Sequence, residues 1–295
     1  MRRVCLVCNK GSSNSKPELL KELAEKYLDV EEINYVFYSD PDKIDKEVEQ
    51  ASKNGYELFI VAGGDGTLSM VGNHIAETEA KMAVIPMGTS NTIARIMGIN
   101  DDHEENIKKI GEDRFEVKRI DTLKLKDRYI LYSITIGLSS TVMKKTTSIS
   151  KKFLGKGAYY FRGIIEIFKL RSHDFGISVD GESFRTRAIE VGIYNMGLQD
   201  KINFKDISKT EPGSGFAECY IFKPKNSLKY FSFLYDSIRQ TVNTEKGYLD
   251  LIKVEDNITV QLPRDVPIQM DGEDVDTEKF TAEIRPGSLN LVLYE

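Results

Sequence analysis

Apolar and polar positions follow two different patterns along the chain, and the change falls near residue 121. In the first part, short apolar runs alternate with segments whose apolar residues recur every three or four positions. Continuous short runs are typical of buried strands, and the wider spacing is typical of helices that pack on a sheet. The predicted strands are 4–8, 33–38, 58–62 and 82–86, and the predicted helices are 17–28 and 42–54.

Strands that alternate with helices in this way predict an α/β domain with a parallel sheet. After about residue 121, short apolar runs separated by turn residues predict a mostly-β domain instead. The sequence therefore predicts two domains, 1–121 and 122–295, with the last strand able to return toward the first domain. The predicted strands of the second domain are 123–125, 129–136, 176–179, 188–194, 217–222, 258–262, 267–270, 280–284 and 289–294.

Composition excludes several classes of protein. The chain has 295 residues, 40% of them apolar, and a net charge of −5, so a packed core is expected and a nucleic-acid partner is not. No apolar run approaches the roughly 20 residues that span a bilayer, and no signal peptide is recognised, so an intracellular protein is expected. Cys5 and Cys8 form a C-x-x-C pair without a second Cys or His pair nearby, which favours two buried residues over a redox or metal site.

Three glycines surround one carboxylate where the predicted strand 58–62 ends: Gly63, Gly64, Asp65, Gly66, then Thr67. Glycines let a backbone approach a ligand closely, and amide groups at a helix start attract phosphate. Asp65 would repel a bare phosphate, so its presence suggests an Mg²⁺ ion between the two, while Thr67 could cap the helix or bond a phosphate oxygen. The alternative is an ordinary strand–turn–helix connection, with Asp65 as turn former and Thr67 as cap.

A second polar loop, Gly88, Thr89, Ser90 and Asn91, follows the strand 82–86, and Asn9 follows the first strand. In an open parallel sheet, ligands bind beyond the carboxyl ends of the strands, where these loops would meet. Neither the P-loop nor the dinucleotide-binding glycine motif is present. The pattern therefore indicates an anion-binding crevice in a nucleotide-binding domain of another type.

The segments GGDGTL, PMGTSNTIAR and IQMDGE, in this order, resemble the diacylglycerol kinase and sphingosine kinase superfamily, and most of all its soluble bacterial lipid kinases. The resemblance extends over nearly the whole chain. It implies that ATP and Mg²⁺ are used to phosphorylate a lipid hydroxyl. It also implies a first domain similar to phosphofructokinases and NAD kinases that holds ATP, and a C-terminal β-sandwich that helps to hold the lipid.

The resemblance also implies roles for individual residues. It assigns the phosphate loop to residues 63–67, the second nucleotide loop to residues 88–91, and nucleotide contacts to Asn9 and Arg95. It makes Asp271 the base for the lipid hydroxyl and puts Glu273 near the metal and phosphates. Asp65, Asp271 and Glu273 are therefore the expected catalytic residues, with Asp65 and Glu273 beside Mg²⁺.

The chain departs from the family pattern at several positions. Lys10 follows Asn9 where proline is usual, and Thr92 stands where an acid is common. Residues 214–218 read SGFAE in place of a motif whose acid helps to hold a structural Mg²⁺ in some members, so no second metal is expected. Residues 138–141 offer hydroxyls where an acid often lies near the lipid. Residues 180–182 repeat the tripeptide DGE as a predicted hairpin turn, so Asp-Gly alone is weak support for a catalytic role.

Basic residues are concentrated in one part of the chain. Residues 144–171 contain eight lysines and arginines and a single acid, interleaved with apolar residues. The apolar residues favour a buried helix over 158–170, while Lys144 to Lys156 are expected to dock on a membrane surface. The expected localisation is cytoplasmic and peripheral at the inner membrane face, and a homodimer is left open. Two alternatives also remain open: an NAD kinase-like enzyme, and a nucleotide- or lipid-binding protein with little turnover.

Overall fold

The computed structural model describes residues 3–12, 14–137, 172–197, 210–224, 244–264 and 266–295, together with residues 229, 232, 233, 235, 236 and 242. These residues form two compact units. The first comprises Met1–Leu131, Pro212–Gly215 and Arg285–Glu295, and the second comprises Tyr132–Glu211 and Phe216–Ile284. The first unit thus extends past residue 121, where the sequence predicted the boundary, and it includes the C-terminal residues.

The helices and strands are numbered in chain order. They are β1 (Arg3–Asn9), α1 (Pro17–Tyr27), β2 (Glu32–Tyr38), α2 (Pro41–Lys53), β3 (Leu58–Gly63), α3 (Asp65–Ile75), β4 (Lys81–Pro86), α4 (Thr92–Ile96), α5 (His103–Gly111), β5 (Phe115–Leu125), β6 (Arg128–Ile130), β7 (Ser133–Gly137), β8 (His173–Val179), β9 (Glu182–Ala188), β10 (Glu190–Tyr194), β11 (Ala217–Phe222), β12 (Leu249–Val254), β13 (Asn257–Gln261), β14 (Ile268–Met270), β15 (Glu273–Val275) and β16 (Lys279–Tyr294).

The first unit is built on a parallel sheet, which confirms the predicted α/β class. Its strand order is β2-β1-β3-β4, and the C-terminal part of β16 pairs in parallel with β4. Helix α2 shows why the sequence pattern worked: Asp40 caps it, Pro41 is its first residue, and Ile44, Val48 and Ala51 are buried on one face. The core between sheet and helices contains Val4, Leu6, Cys8, Leu20, Leu23, Ala24, Leu58, Ile60, Ala62, Ala83, Ile85, Met87, Ile107, Ile110 and Val292.

The second unit consists mainly of antiparallel strands, again as predicted. One sheet has the order β12-β11-β10-β7-β14-β15. In the other, the N-terminal part of β16 pairs with β13, β13 with β8, and β8 with β9. The predictions for residues 138–141, 144–156 and 158–170 concern segments that lie outside the described residues.

The last strand corrects one prediction. The sequence predicted two strands, 280–284 and 289–294, and the intervening Pro286 and Gly287 are residues that are unfavourable inside a strand. The structure has one strand, β16, and Gly287 takes a positive φ of 57° within it. The buried carboxylate of Asp121 accepts the N–H of Gly287 at 2.8 Å and that of Gly215 at 2.6 Å. Asp121, which is distant in sequence, thus provides a hydrogen-bond acceptor for the backbone N–H of Gly287, where β16 is irregular.

The three cysteines are buried free thiols. Burial raises the pKa of Cys5 and of Cys219 to about 12, and it also raises the pKa of Cys8. A thiol with such a pKa is uncharged at neutral pH and is a poor nucleophile or metal ligand. This agrees with the interpretation of Cys5 and Cys8 as small buried residues.

Within the described ranges, no helix combines the length and the apolar character that crossing a bilayer would require.

Candidate active site

Strand register brings the three predicted loops of the first unit to one edge of the parallel sheet. Cys8 is paired with Ala62, and Ala62 with Ile85, so β1, β3 and β4 end side by side. The loops that begin at Asn9, at Gly64 and at Met87 therefore leave the sheet at neighbouring positions. This is the carboxyl edge, where open parallel sheets bind their ligands.

The carboxylate of Asp65 joins the two glycine loops. Its Oδ2 accepts the N–H of Thr92 at 3.0 Å, and its Oδ1 accepts the N–H of Ile93 at 3.0 Å. These are the first two amides of α4, whose own N-cap residue, Asn91, makes no side-chain cap. Asp65 therefore caps a helix 27 residues further along the chain while it also lies in the first turn of α3. Sequence analysis missed this role because a cap from a distant loop has no local signature.

Two glycines let the loops touch through their backbones. A Cβ atom added to Gly88 would lie 2.6 Å from the Cα atom of Gly64, and one added to Gly64 would lie 3.1 Å from the Cα atom of Gly88. The space around Gly66 is different, because a Cβ atom there would meet nothing within 4 Å. Gly64 and Gly88 are thus required by the contact between the loops, whereas Gly66 leaves open space at an exposed helix start.

Two asparagines hold the shapes of their own loops. Asn91 adopts the left-handed conformation, with φ of 46°, and its Oδ1 accepts the N–H of Gly88 at 2.8 Å. Asn9 accepts the N–H of Gly11 through its Oδ1, also at 2.8 Å. Asparagine suits such positions because it tolerates positive φ and can bond to nearby backbone. In this structure both side chains organise loops; their predicted contacts with nucleotide stay predictions.

The remaining predicted residues of the first unit differ in exposure. Thr89, Ser90 and Arg95 are exposed. Thr67 is only 5% exposed, and it packs so closely on Gly63 that an added Cβ atom there would lie 2.7 Å from its Oγ1. Helix α3 begins at Asp65, with Gly64 as N-cap, and not near residue 68 as predicted. Thr67 is therefore inside the helix and does not cap it.

In the second unit, Asp271 and Gly272 form the tight turn between β14 and β15. Their φ angles are 48° and 86°, which matches the Asp-Gly preference of a two-residue hairpin turn with both residues at positive φ. The Oδ1 atom of Asp271 accepts the N–H groups of Tyr132 and Ser133, each at 2.9 Å. The N–H of Asp271 in turn donates to the carbonyl of Ser133 at 2.8 Å. Two bonds to the carboxylate and one from the backbone N–H therefore fix Asp271, a half-buried residue, on the start of β7.

The other DGE tripeptide has nearly the same conformation. Asp180 and Gly181 connect β8 to β9 with φ angles of 49° and 90°, which confirms the predicted hairpin. The Asp180 carboxylate accepts the N–H groups of residues 255, 256 and 257, each at 2.9 Å. Burial alone would raise the pKa of Asp180, but these bonds outweigh it and hold the pKa below its ordinary value. The two turns differ mainly in their surroundings, since Asp180 is exposed.

The groups in the first unit fit a nucleotide phosphate and its magnesium ion. Each Asp65 oxygen accepts one backbone N–H, and a carboxylate oxygen has a further acceptor position that a metal-bound water can use. The open space at Gly66 is suited to an approaching phosphate oxygen. Glu273, the other predicted neighbour of the metal, is exposed on β15 in the second unit. Among the described residues, no group of three or more His, Cys, Asp or Glu side chains forms a self-contained metal site.

The fold and the loops define an α/β domain with two glycine-rich loops at the carboxyl edge of its sheet, and these loops match neither the P-loop nor the dinucleotide-binding motif. Residues 3–125 match the family model of the diacylglycerol kinase catalytic domain. Over these residues the chain is similar to that family, in agreement with the resemblance carried by the segments GGDGTL and PMGTSNTIAR.

Individual relatives agree with this similarity. A diacylglycerol kinase of Staphylococcus haemolyticus (strain JCSC1435) is 32% identical over 158 residues, which is 53% of this chain and 46% of the relative. One of Staphylococcus carnosus (strain TM300) is 35% identical over 158 residues, 53% of this chain and 50% of the relative. The chain spans about half the length of the relatives it matches. The crystal structure of a diacylglycerol kinase from Bacillus anthracis str. Sterne shares the fold, with a TM-score of 0.71 and 18% identity, covering 100% of this chain and 97% of that one.

The Asp65→Asn variant is expected to lose about 1.5 to 3 kcal/mol of unfolding free energy. Asparagine replaces one carboxylate oxygen by an NH₂ group, which cannot accept the N–H of α4 that this oxygen accepts. The measurement is urea denaturation at pH 7. Asp102→Asn is the matched control, because Asp102 caps α5 by accepting the N–H of Glu105 at 3.0 Å. Asparagine caps a helix as well as aspartate does. Equal stability of the two variants would show that Asp65 does not hold the loops together.

Proposed function

We propose that the protein is a lipid kinase that transfers the γ-phosphate of Mg-ATP to a lipid hydroxyl, with diacylglycerol as the leading acceptor. The observation that carries this proposal is the bond between Asp65 and the first amides of α4. It fixes two glycine loops against each other at the carboxyl edge of a parallel sheet. Backbone amides held in this way can bind nucleotide phosphates without rearranging.

The proposed mechanism depends mainly on positioning. Phosphoryl transfer has a loose transition state, so oriented donors and charge neutralisation supply most of the catalysis. The loops at 63–67 and 88–91 would orient the phosphates, and the exposed cation of Arg95 would offset their charge. Bound Mg²⁺ would supply further charge neutralisation, and Asp65 would hold it through water. The closed contact between Gly64 and Gly88 would keep side chains out of the phosphate path.

Asp271 is proposed as the general base. Its carboxylate is held in one orientation by the N–H groups of Tyr132 and Ser133. A fixed carboxylate can orient an acceptor hydroxyl and take its proton as the phosphoryl group is transferred. No further protein base is needed, because a proton released late in a loose transition state needs only one nearby acceptor.

The experiment is transfer of labelled γ-phosphate from Mg-ATP to a panel of acceptors. The panel contains diacylglycerol, monoacylglycerol, ceramide, sphingosine and phosphatidylglycerol in mixed micelles, and NAD in buffer. A lipid product that requires Mg²⁺ and depends on Asp271 is the expected result. Product on NAD alone would make the protein an NAD kinase-like enzyme. ATP binding without any product would make it a nucleotide-binding protein with little turnover.

We further propose that the protein works at the cytoplasmic face of a membrane and that Lys144 to Lys156 contact the anionic surface. This stretch contains five lysines and lies outside the described residues. Each lysine near an anionic surface contributes on the order of 1 kcal/mol. Replacing all five with glutamine is expected to weaken binding to phosphatidylglycerol vesicles and to flatten its salt dependence. Unchanged binding with unchanged salt dependence would exclude the role of this stretch.

A further inference from the structure

On the outer face of the sheet formed by β9, β8, β13 and β16, two adjacent rows of cross-strand neighbours contain no acidic residue. Strand register aligns Arg185, Gly176, Gln261 and Lys279 in one row. The next row consists of hydroxyl side chains: Ser183, Ser178, Thr259 and Thr281. Two cations and four hydroxyls therefore face the same side of one sheet.

A cavity of about 480 Å³ lies over these rows. Its lining includes Gly176, Ser178, Arg185, Thr259, Gln261 and Lys279, and none of the described residues that line it is acidic. We call this cavity the sheet dent. Its volume falls in the range of small-molecule sites in proteins, about 300 to 1,000 Å³.

Gly176 leaves the floor of the sheet dent without a side chain. A Cβ atom added there would lie 3.5 Å from the Cβ and Oε1 atoms of Gln261, which is ordinary van der Waals contact. No close approach of another backbone explains this glycine, and glycine weakens the interior of a strand. A glycine that the fold does not require, and that opens a polar dent, is consistent with space kept for a ligand.

Charge indicates what kind of ligand fits. Arg185 and Lys279 are exposed, and within the described part of the chain neither side chain has an ion-pair partner. The flanking rows contain acids, Asp174 beside Arg187 at one end and Glu283 beside Asn257 at the other. Arg185 and Lys279 are thus the two cations that line the sheet dent, in a chain whose net charge is −5.

We propose that the sheet dent binds the phosphate headgroup of an anionic phospholipid and so holds the second unit on a membrane surface. Guanidinium, ammonium and hydroxyl groups are the side chains that bind phosphate oxygens. Because both cations are exposed, a single soluble phosphate would be bound weakly, whereas a bilayer presents many headgroups to an open sheet face. The proposal goes beyond the proposed catalysis, and its test needs neither nucleotide nor turnover.

The test is cosedimentation with phosphatidylglycerol vesicles, with phosphatidylcholine vesicles as the baseline, in the absence of ATP. Arg185→Gln and Lys279→Gln are each expected to lower the partition coefficient about 5-fold. Gly176→Val fills the sheet dent, and because valine favours strands, it is expected to reduce binding without loss of stability. Arg187→Gln is the matched control, since Arg187 lies on the same strand and face but does not line the sheet dent; it is expected to bind nearly as wild type does.

Several outcomes would overturn the proposal. Equal losses for Arg185→Gln and Arg187→Gln would show an effect of net charge alone. Wild-type binding by Gly176→Val would show that the sheet dent is not used. Tight binding of inorganic phosphate in the absence of vesicles, lost in Arg185→Gln, would show a site for soluble phosphate instead. Kinase activity in neutral detergent micelles is measured in parallel, so that failure of the proposed function is distinguished from failure at the sheet dent.

Discussion

The Asp271→Asn variant is expected to lose phosphoryl transfer about 10²- to 10⁴-fold while it folds normally, which is the range for removal of a general base. Asparagine keeps the oxygen that accepts the N–H groups of Tyr132 and Ser133, and it tolerates the positive φ of 48° at this turn. A loss of phosphoryl transfer in this variant can therefore be assigned to the missing base and not to a loss of stability. The measurements are kcat with diacylglycerol and KM for ATP, together with the midpoint of urea unfolding.

Asp180→Asn is the control that the chain itself provides. Asp180 occupies the same position in the other Asp-Gly-Glu hairpin, with φ of 49°. Its variant is expected to keep full activity, and comparable losses in both variants would refute the role of Asp271 as base. An Asp271→Asn variant with an unchanged kcat and a raised KM for ATP would also contradict that role.

The Asp180→Asn variant should in addition show a changed acid dependence of stability. The pKa of Asp180 is lower in the folded protein than its ordinary value, despite partial burial, because three backbone N–H groups bond to the carboxylate. Such a group stabilises the fold above its unfolded pKa, about 4, and this contribution is lost as pH falls through the folded pKa. The variant is therefore expected to lose less stability than wild type between neutral pH and pH 3.

The Gly88→Ala variant is expected to lose about 1 to 3 kcal/mol of unfolding free energy and most of its affinity for ATP. The new methyl group would lie 2.6 Å from the Cα atom of Gly64 and 2.8 Å from the Oδ1 atom of Asn91. A backbone atom cannot move aside as a flexible side chain can, so the two loops must separate. Urea unfolding and calorimetric ATP titration measure the two effects.

Gly66→Ala is the matched comparison in the neighbouring loop. A methyl group there meets nothing within 4 Å and lies inside α3, so the variant should be as stable as wild type or up to about 1 kcal/mol more stable. A rise in KM for ATP without loss of stability would support close approach of a phosphate at Gly66. Tight ATP binding by Gly88→Ala would contradict the proposal that the closed loop contact forms the phosphate site.

Local patterns were sufficient to predict both fold classes and the tight turns. The capped, amphipathic α2 and the Asp-Gly turns at 180 and 271 are examples, since each depends on neighbouring residues alone. The strands β9, β12 and β15 and the helix α5 were not predicted. Helix α5 has only nine residues, so its apolar face, Ile107 and Ile110, is too short to stand out from the surrounding polar sequence.

The sequence by itself determined which chemistry the chain contains: the glycine loops at 63–67 and 88–91, the carboxylates Asp65 and Asp271, and the order of motifs that marks the family. Only the tertiary structure decided what several of these residues do. The carboxylate of Asp65 caps α4, and Gly64 and Gly88 touch through their backbones. Asp121 accepts the N–H of Gly287, which lies at the irregular point of β16. The physical reason is that hydrogen bonds and contacts between residues far apart in sequence depend on strand register, which local patterns do not encode.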